Sequence, residues 1–240
     1  MFTPRPFTTG LAIVLTIGLV SLGRWQLERA REKRALYDAF ESGTDATQVL
    51  DAATAGLPRY QHVHAAGAYD SGRQVLIDNM SNSRGQAGYY VITPFELESG
   101  GWVLVNRGWV PLGARRADKP DVAVSPQPRE IAGRTDDLPR AGLQLGTRAA
   151  LAPPYPVVAN FPTRAEIASL LGERHWSRAA DLVLLDPTEP GGYLREWHPP
   201  GFPPIRHIAY AVQWFGLAAA LVVIYLVTNI HRAAGGGDAT

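Results

Sequence analysis

Two long apolar runs without a charged side chain, one near each end of the chain, most constrain the fold. They cover residues 6–23 and 208–230. A helix needs roughly 20 apolar residues to cross a hydrocarbon core about 30 Å thick, so both runs reach or approach that length. We therefore predict two transmembrane helices, with both termini on one side of a membrane and the central segment on the other.

The first run has a second interpretation as a signal peptide. Ser21 and Gly23 form a small-x-small pattern before Arg24, which is typical of a cleavage site. Trp25 and Gln26 continue the helical pattern, and an aromatic residue beside an arginine is typical of an interfacial anchor. We therefore favour a transmembrane helix. The alternative for the second run is a buried helix. This run is too long and too apolar for an ordinary surface helix, and we favour a transmembrane helix here as well.

The charges beside the first run do not fix the orientation in the membrane. Five basic residues follow the run within residues 24–34, whereas only Arg5 precedes it. The positive-inside rule alone would place the central segment in the cytoplasm. Domains longer than about 60 residues, however, cross membranes largely regardless of charge, so the sequence charge leaves the topology open.

The central segment predicts a mainly antiparallel β barrel or sandwich with short helices. Residues 24–40 continue the first helix, and residues 41–57 form a loop. Short runs rich in Val, Ile and aromatic residues predict strands at 60–66, 74–78, 89–96, 102–110, 131–135 and 181–186. A capping box from Thr163 to Glu166 begins a short helix that Gly172 ends. Evenly spaced short strands favour a small barrel or sandwich.

These patterns divide the chain into four parts. We predict an N-terminal transmembrane helix over 1–27 (span about 7–25), a mainly-β domain over 28–205, a C-terminal transmembrane helix over 206–231 and a flexible tail over 232–240.

Composition argues against several classes of function. The 240 residues carry a formal net charge of only +1, so bulk electrostatics do not indicate a nucleic-acid partner. The chain has no Cys, which excludes disulfides, thiolate metal sites and a cysteine nucleophile. Common hydrolase, nucleotide-binding and metalloprotease motifs are absent from the sequence. We predict a protein without catalytic activity of its own.

Three histidines are candidates for metal binding. His62 and His64 lie two apart on a predicted strand, so both side chains point to one face. They lack a third ligand nearby in sequence, which favours exposed strand residues over a copper site. His207 differs because it follows Arg206 directly, where the second apolar run begins at the water–lipid boundary.

A narrow stripe on the second apolar helix begins at His207. At 100° per residue, the side chains within about 60° of the line through His207 include Tyr210, Trp214, Ala218, Leu221 and Tyr225. One interpretation is an interfacial aromatic belt packed on the first helix, with close approach at Gly18. For Tyr225, near the other interface, we favour this interpretation.

The other interpretation is a site for a flat, lipophilic macrocycle. A neutral imidazole can ligate haem iron, and aromatic faces can pack against the porphyrin. Arg24, Arg29 or Arg206 at the boundary could pair with the propionates. The first run has no His, Met, Cys or Tyr to supply a second axial ligand, so haem would be held from one side.

Four segments, in order along the chain, carry a family resemblance. They are Leu-Gly-Arg-Trp-Gln-Leu-Glu-Arg-Ala-Arg-Glu-Lys at 22–33, Gly-Tyr-Tyr-Val-Ile-Thr-Pro-Phe at 88–95, Val-Leu-Val-Asn-Arg-Gly-Trp-Val-Pro at 103–111 and His-Ile-Ala-Tyr-Ala-Val-Gln-Trp-Phe at 207–215. Together they resemble the Surfeit locus protein 1 family of cytochrome c oxidase assembly factors, over almost the whole chain.

The resemblance implies a two-span inner-membrane protein whose central domain faces the periplasm, or the intermembrane space in mitochondria. It implies help in handling haem a during insertion into oxidase subunit I, with His207 as the haem ligand beside Tyr210 and Trp214. Haem a synthase and membrane lipid are further expected partners. We expect a bacterial membrane, because the segment before the first run is short for a transit peptide.

The resemblance also assigns structural roles. Trp25 and Gln26 belong to the motif after the first run, and Arg107 and Trp109 to a strand motif. Gly88 lies in a strand where a side chain should disturb the fold. Two alternatives to haem handling stay open: a membrane scaffold that holds an oxidase intermediate, and a copper carrier.

Overall fold

Two long apolar helices and one β-sheet domain make up the part of the chain that this computed structural model describes, residues 4–43, 46–140, 150–172 and 175–234. The elements in chain order are α1 (Pro6–Ser42), β1 (Gln48–Val49), β2 (His62–Tyr69), β3 (Val75–Ser81), β4 (Ala87–Leu97), β5 (Trp102–Pro111), β6 (Arg129–Asp136), β7 (Val157–Ala159), α2 (Arg164–Leu171), β8 (Leu182–Leu185) and α3 (Pro204–Ala234). They form two units, a helical unit of Met1–Glu41 with Pro199–Thr240 and a β unit of Ser42–His198.

Both terminal helices are long and apolar enough to cross a membrane. Helix α1 has 37 residues and continues past its apolar stretch as a charged helix, as predicted. Helix α3 has 31 residues, and the last part of the predicted flexible tail, 235–240, lies outside the described residues. The predicted pair of apolar terminal helices around a β domain is confirmed, and it fits a membrane protein.

Helices α1 and α3 pack side by side and antiparallel. At one end, the hydroxyls of Thr9 and Tyr225 lie 2.6 Å apart. At the other end, Gln26 Oε1 lies 2.8 Å from His207 Nδ1. These two contacts are separated by about 25 Å along each helix, so they fix the register of the helix pair over most of an apolar span.

Small residues recur every seven positions on the packed face of α1. They are Thr9, Thr16, Gly23 and Ala30, and on α3 the positions Ala211, Ala218 and Tyr225 repeat in the same way. A seven-residue repeat is typical of helices that cross at a small left-handed angle. The closest approach is at Gly23, where a Cβ would lie 2.7 Å from the Phe215 ring. The prediction of close approach at Gly18 is wrong, since a Cβ there would meet nothing within 4 Å.

The β unit contains one eight-stranded sheet that closes on itself. The strand order is β1-β2-β6-β8-β5-β4-β3-β7, and an additional pairing of β2 with β4 joins β2, β6, β8, β5 and β4 into a ring. The pairs β1–β2, β3–β7 and β5–β8 are parallel, and the remaining pairs are antiparallel. The predicted mainly antiparallel barrel is confirmed. The short strands β1 and β7 form the outer ends of the sheet.

Several strands are buried along nearly their whole length rather than on alternate residues. Strand β8 is fully buried, and eight of the ten residues of β5 are buried in succession. Val105 packs in the cluster inside the ring, whereas Leu104 packs with Ile167 and Leu171 of α2 outside it. The sheet therefore has apolar partners on both faces, which explains the continuous Val- and Leu-rich runs.

Helix α2 begins and ends as predicted. Thr163 Oγ1 accepts a hydrogen bond from the Glu166 backbone N–H, and the Glu166 carboxylate accepts one from the Thr163 N–H at 2.7 Å. This reciprocal pair is a capping box. Gly172, with φ of 87°, ends the helix in a conformation that favours glycine.

Candidate functional site

His207 lies in the first turn of α3, and its ring has a defined hydrogen-bond partner. The helix begins at Pro204, a residue suited to the first helical position because it has no N–H to satisfy. The half-buried ring places Nδ1 2.8 Å from the amide oxygen of Gln26 on α1. An amide oxygen only accepts, so Nδ1 of the neutral ring carries the proton and Nε2 keeps its lone pair. This is the nitrogen that can bind a metal ion.

The turn that leads into α3 is tied to α1 by a second contact. Lys33 Nζ donates to the carbonyl oxygen of Pro200 at 2.9 Å. Gly201 follows with φ of +86°, and a Cβ there would lie 3.0 Å from Lys33 Nζ. Lys33 lies seven residues after Gln26, on the same side of α1. Two contacts on one face of α1 therefore hold the start of α3 and the His207 ring in place.

The helix packing divides the predicted aromatic stripe. Trp214 and Tyr225 are half-buried with His207, and Tyr225 bonds Thr9. Tyr210 is 46% exposed. The structure thus leaves Tyr210 more exposed than Trp214, on the outer edge of the stripe.

The three candidate boundary arginines differ in their contacts. Arg29 pairs with Glu32 at 2.6 Å, and the Arg206 guanidinium lies 4.7 Å from the Phe202 ring centroid. Arg24 is exposed and makes no hydrogen bond or ion pair with another described residue. Trp25 is also exposed, so Gln26 is the one of these three consecutive residues that turns towards α3.

Gly88 and Trp109 lie together in the β unit. Gly88 is on β4, and a Cβ there would lie 2.5 Å from Trp109 Cε2 on β5 and would also collide with the Val110 carbonyl oxygen. The Trp109 indole N–H donates to the Met80 carbonyl oxygen of β3 at 3.0 Å. The indole ring therefore needs the space above Gly88 in order to link the three strands.

Arg107, on the same strand, is 2% exposed and uses all five of its N–H donors. Nε and Nη2 donate to the Gly191 carbonyl oxygen, and Nη1 donates to Gln74 Oε1. The remaining donors reach the carbonyl oxygens of Val122 and Ala123. Burial lowers the pKa of the Arg107 guanidinium, which nevertheless stays charged at neutral pH. This side chain fastens two loops to the barrel, which is a structural role.

The two strand histidines do not form a metal centre with other described residues. Within the described ranges, no group of three His, Cys, Asp or Glu residues could hold a metal ion. His62 is half-buried and His64 is exposed on β2. The copper interpretation therefore gains no third ligand from the described part of the fold.

The pairing of His207 with Gln26 is the contact that sequence reasoning missed. Gln26 is predicted only as part of a structural motif. The available signal is its spacing: Gln26 lies three residues after Gly23 and seven before Lys33, on the packed side of α1. Its partner is 181 positions away in sequence, and the register of the two helices cannot be read from either helix alone.

Comparison with known proteins gives matches over most of the chain. Residues 13–219 match the SURF1 family. A SURF1-like protein of Rickettsia conorii is 29% identical over 221 residues, which are 90% of this chain and 88% of that protein. The Surfeit locus protein 1 of Takifugu rubripes is 27% identical, covering 88% of this chain and 92% of the relative. The Surfeit locus protein 1 of Homo sapiens is 26% identical, and the match covers 89% of this chain and 75% of the human protein.

Proposed function

The chain belongs to the SURF1 family, and on that premise we propose that it assists assembly of haem-copper cytochrome c oxidase by holding haem a for delivery to catalytic subunit I. The observation that carries the proposal is the 2.8 Å contact of His207 Nδ1 with Gln26. In the neutral ring, this contact leaves the Nε2 lone pair free at the start of an apolar helix.

The residues around His207 fit such a ligand. Haem supplies an iron that accepts a neutral imidazole nitrogen as an axial ligand. The residues that would hold it are His207 through Nε2, Trp214 and Tyr210 through their ring faces, and Arg24 through its unengaged guanidinium. The apolar part of α1 has no second ligating side chain. One-sided holding suits a protein that passes its ligand on, without turnover of its own.

We place the protein in a bacterial inner membrane with the β unit in the periplasm. Two candidate spans support a membrane protein with both termini on one side. Membrane lipid, oxidase subunit I and haem a synthase are the proposed partners. Cleavage of the β unit by a protease added to the periplasmic side would support this topology, and its protection there would contradict it.

Replacing His207 with alanine is expected to abolish haem binding without unfolding the protein. The full chain, purified in detergent from cells that make haem a, should show the absorption spectrum of histidine-ligated haem. His207→Ala should lose that spectrum but keep the wild-type circular dichroism and the melting temperature of the haem-free wild type. His198→Ala, which removes an exposed histidine of the β unit, is the matched control and should keep the haem. A folded but colourless wild type would instead favour the scaffold function.

Gln26 is expected to act as a positioning residue for His207. Gln26→Leu should weaken haem binding about 10- to 100-fold, since partners of ligating histidines typically contribute that much affinity. Gln26→Glu keeps an acceptor for the Nδ1–H, so it should restore binding and lower the reduction potential of the bound iron. Haem titration and potentiometry measure both effects. Unchanged affinity in Gln26→Leu would show that the contact does not orient the ligand.

A further inference from the structure

Two neighbouring buried donors in the β unit lack a hydrogen-bond partner among the described residues. They are the hydroxyl of Tyr69, a residue only 3% exposed at the end of β2, and Nε of Arg129 at the start of β6. The Arg129 guanidinium carbon lies 5.5 Å from the Tyr69 ring centroid. Buried polar groups are nearly always paired, so two neighbouring unpaired donors need an explanation.

Positive charge accumulates at the same place. The Arg107 guanidinium carbon lies 5.6 Å from the Tyr69 ring centroid, almost the same distance as the Arg129 guanidinium carbon. Burial raises the pKa of Tyr69 to about 12 even though these guanidiniums oppose the shift, so its hydroxyl is a protonated donor at neutral pH.

A third arginine joins the group around the Gly191–Gly192 turn. A Cβ on Gly191 would lie 3.3 Å from Arg129 Nη1, and one on Gly192 would lie 2.5 Å from Arg195 Cζ. The Gly191 carbonyl oxygen also accepts from Arg107. Three guanidiniums therefore surround a turn whose glycines leave room for them.

None of these guanidiniums forms an ion pair with a carboxylate among the described residues, although the charges of Asp186 and Glu189 lie near enough to oppose the fall in the Arg195 pKa that burial causes. Arg107 donates only to carbonyl and amide oxygens. Arg195 donates through Nε and Nη1 to the backbone carbonyl oxygens of Tyr193, Asp186 and Glu189. The Glu189 carboxylate accepts from the Ala132 N–H rather than from a guanidinium. Grouped like charges in a partly buried place are costly unless an opposite charge joins them.

Once the internal hydrogen bonds are counted, three side chains of this group still have donors to offer. Arg107 has none to spare, but Arg195 keeps Nη2, Arg129 keeps Nε, and Tyr69 keeps its hydroxyl. A negatively charged ligand that accepts hydrogen bonds would satisfy all three donors and offset the charge of the guanidiniums. Planar guanidiniums match the oxygens of carboxylates and phosphates in geometry as well as charge.

We propose that Tyr69, Arg129 and Arg195 form a binding site for an oxyanion, the carboxylate or phosphate group of a ligand. Arg129 and Arg195 are half-buried and Gly191 is exposed, so the site lies within reach of solvent. All of these residues belong to the β unit. The site shares no residue with the haem proposal and does not depend on it.

Thermal unfolding of the full chain in detergent tests the site. Inorganic phosphate and acetate are titrated separately, with sodium chloride keeping the ionic strength constant. Because a ligand that binds only the folded state stabilises it, at least one anion should raise the melting temperature in a concentration-dependent manner. Arg129→Gln should remove this rise. Arg115→Gln, which alters an arginine with 86% of its side chain exposed, is the matched control and should keep it.

A second variant separates binding from simple packing. Tyr69→Phe keeps the buried ring but removes the unpaired hydroxyl, so the variant should fold. Its affinity for the anion that wild type binds more tightly should fall roughly five-fold, the effect of one hydrogen bond. A stronger response to phosphate than to acetate would identify a phosphate ligand, and the reverse a carboxylate. If neither anion raises the wild-type melting temperature, or if Arg129→Gln and Tyr69→Phe respond like wild type, the proposal is overturned.

Discussion

Arg107→Met should destabilise the β unit by about 2–6 kcal/mol, because at least two deeply buried acceptors lose their donor and each costs about 1–3 kcal/mol. These acceptors are Gln74 Oε1 and the Val122 carbonyl oxygen, whose hydrogen bonds to Arg107 are buried. The whole stability of a domain is only about 5–15 kcal/mol, so much of the variant should be unfolded or aggregated. Urea unfolding of the full chain in detergent, followed by tryptophan fluorescence, measures the change.

Two further variants show whether the hydrogen bonds cause this loss. Arg178→Met makes the same substitution at an exposed position and should change stability by less than about 0.5 kcal/mol. Arg107→Lys keeps the charge but offers only three donors, all from one nitrogen. Its free energy of unfolding should therefore lie between those of Arg107→Met and wild type. An Arg107→Met variant with the wild-type urea midpoint would show that the two loops are held by other contacts.

Gly88→Ala is expected to cost about 1–3 kcal/mol through overpacking. The added methyl group would lie 2.5 Å from the Trp109 ring and would also press on the Val110 carbonyl oxygen, a backbone atom that cannot rotate away. The strands must separate or the indole must give up its bond to Met80. We expect a lower melting temperature and a change in the near-ultraviolet circular dichroism of tryptophan.

Gly72→Ala is the matched control for this substitution. A Cβ at Gly72 would lie 3.7 Å from its nearest neighbour, an Asp70 carboxylate oxygen, which is ordinary contact. It should be neutral or slightly stabilising, because alanine restricts the unfolded chain. Equal melting temperatures for Gly88→Ala and Gly72→Ala would contradict the explanation by close packing.

Local patterns were sufficient for the elements that build the ring. Strands β2, β4, β5, β6 and β8 lie within three residues of the sequence prediction, because each combines β-branched or aromatic residues with turn residues at both ends. The capping box of α2 also depends only on neighbouring residues, Thr163 and Glu166. Features whose cause lies within one short segment could therefore be predicted.

Features that depend on distant partners could not. Strand β1 lies in the predicted loop 41–57 and exists because Gln48 and Val49 pair with β2. Strand β7 likewise depends on β3. In the candidate site, the position of His207 at the start of the second apolar helix follows from the sequence, whereas its bond to Gln26 and the close approach at Gly23 depend on helix register. Contacts between residues far apart in sequence determine all four features: the two short strands, the His207–Gln26 hydrogen bond and the close approach at Gly23.

The short ends of the sheet have a consequence for how copies of this protein meet. An unpaired strand offers a row of free backbone groups on which a foreign polypeptide can add. Ring closure leaves the described sheet with end strands of only two and three residues, Gln48–Val49 and Val157–Ala159, and with the four residues of β3 beyond Ile77 that β7 does not pair. When many copies lie close together on a membrane surface, each offers few free backbone groups with which a strand of another copy could pair. We therefore expect the folded β unit to resist amyloid-like self-association.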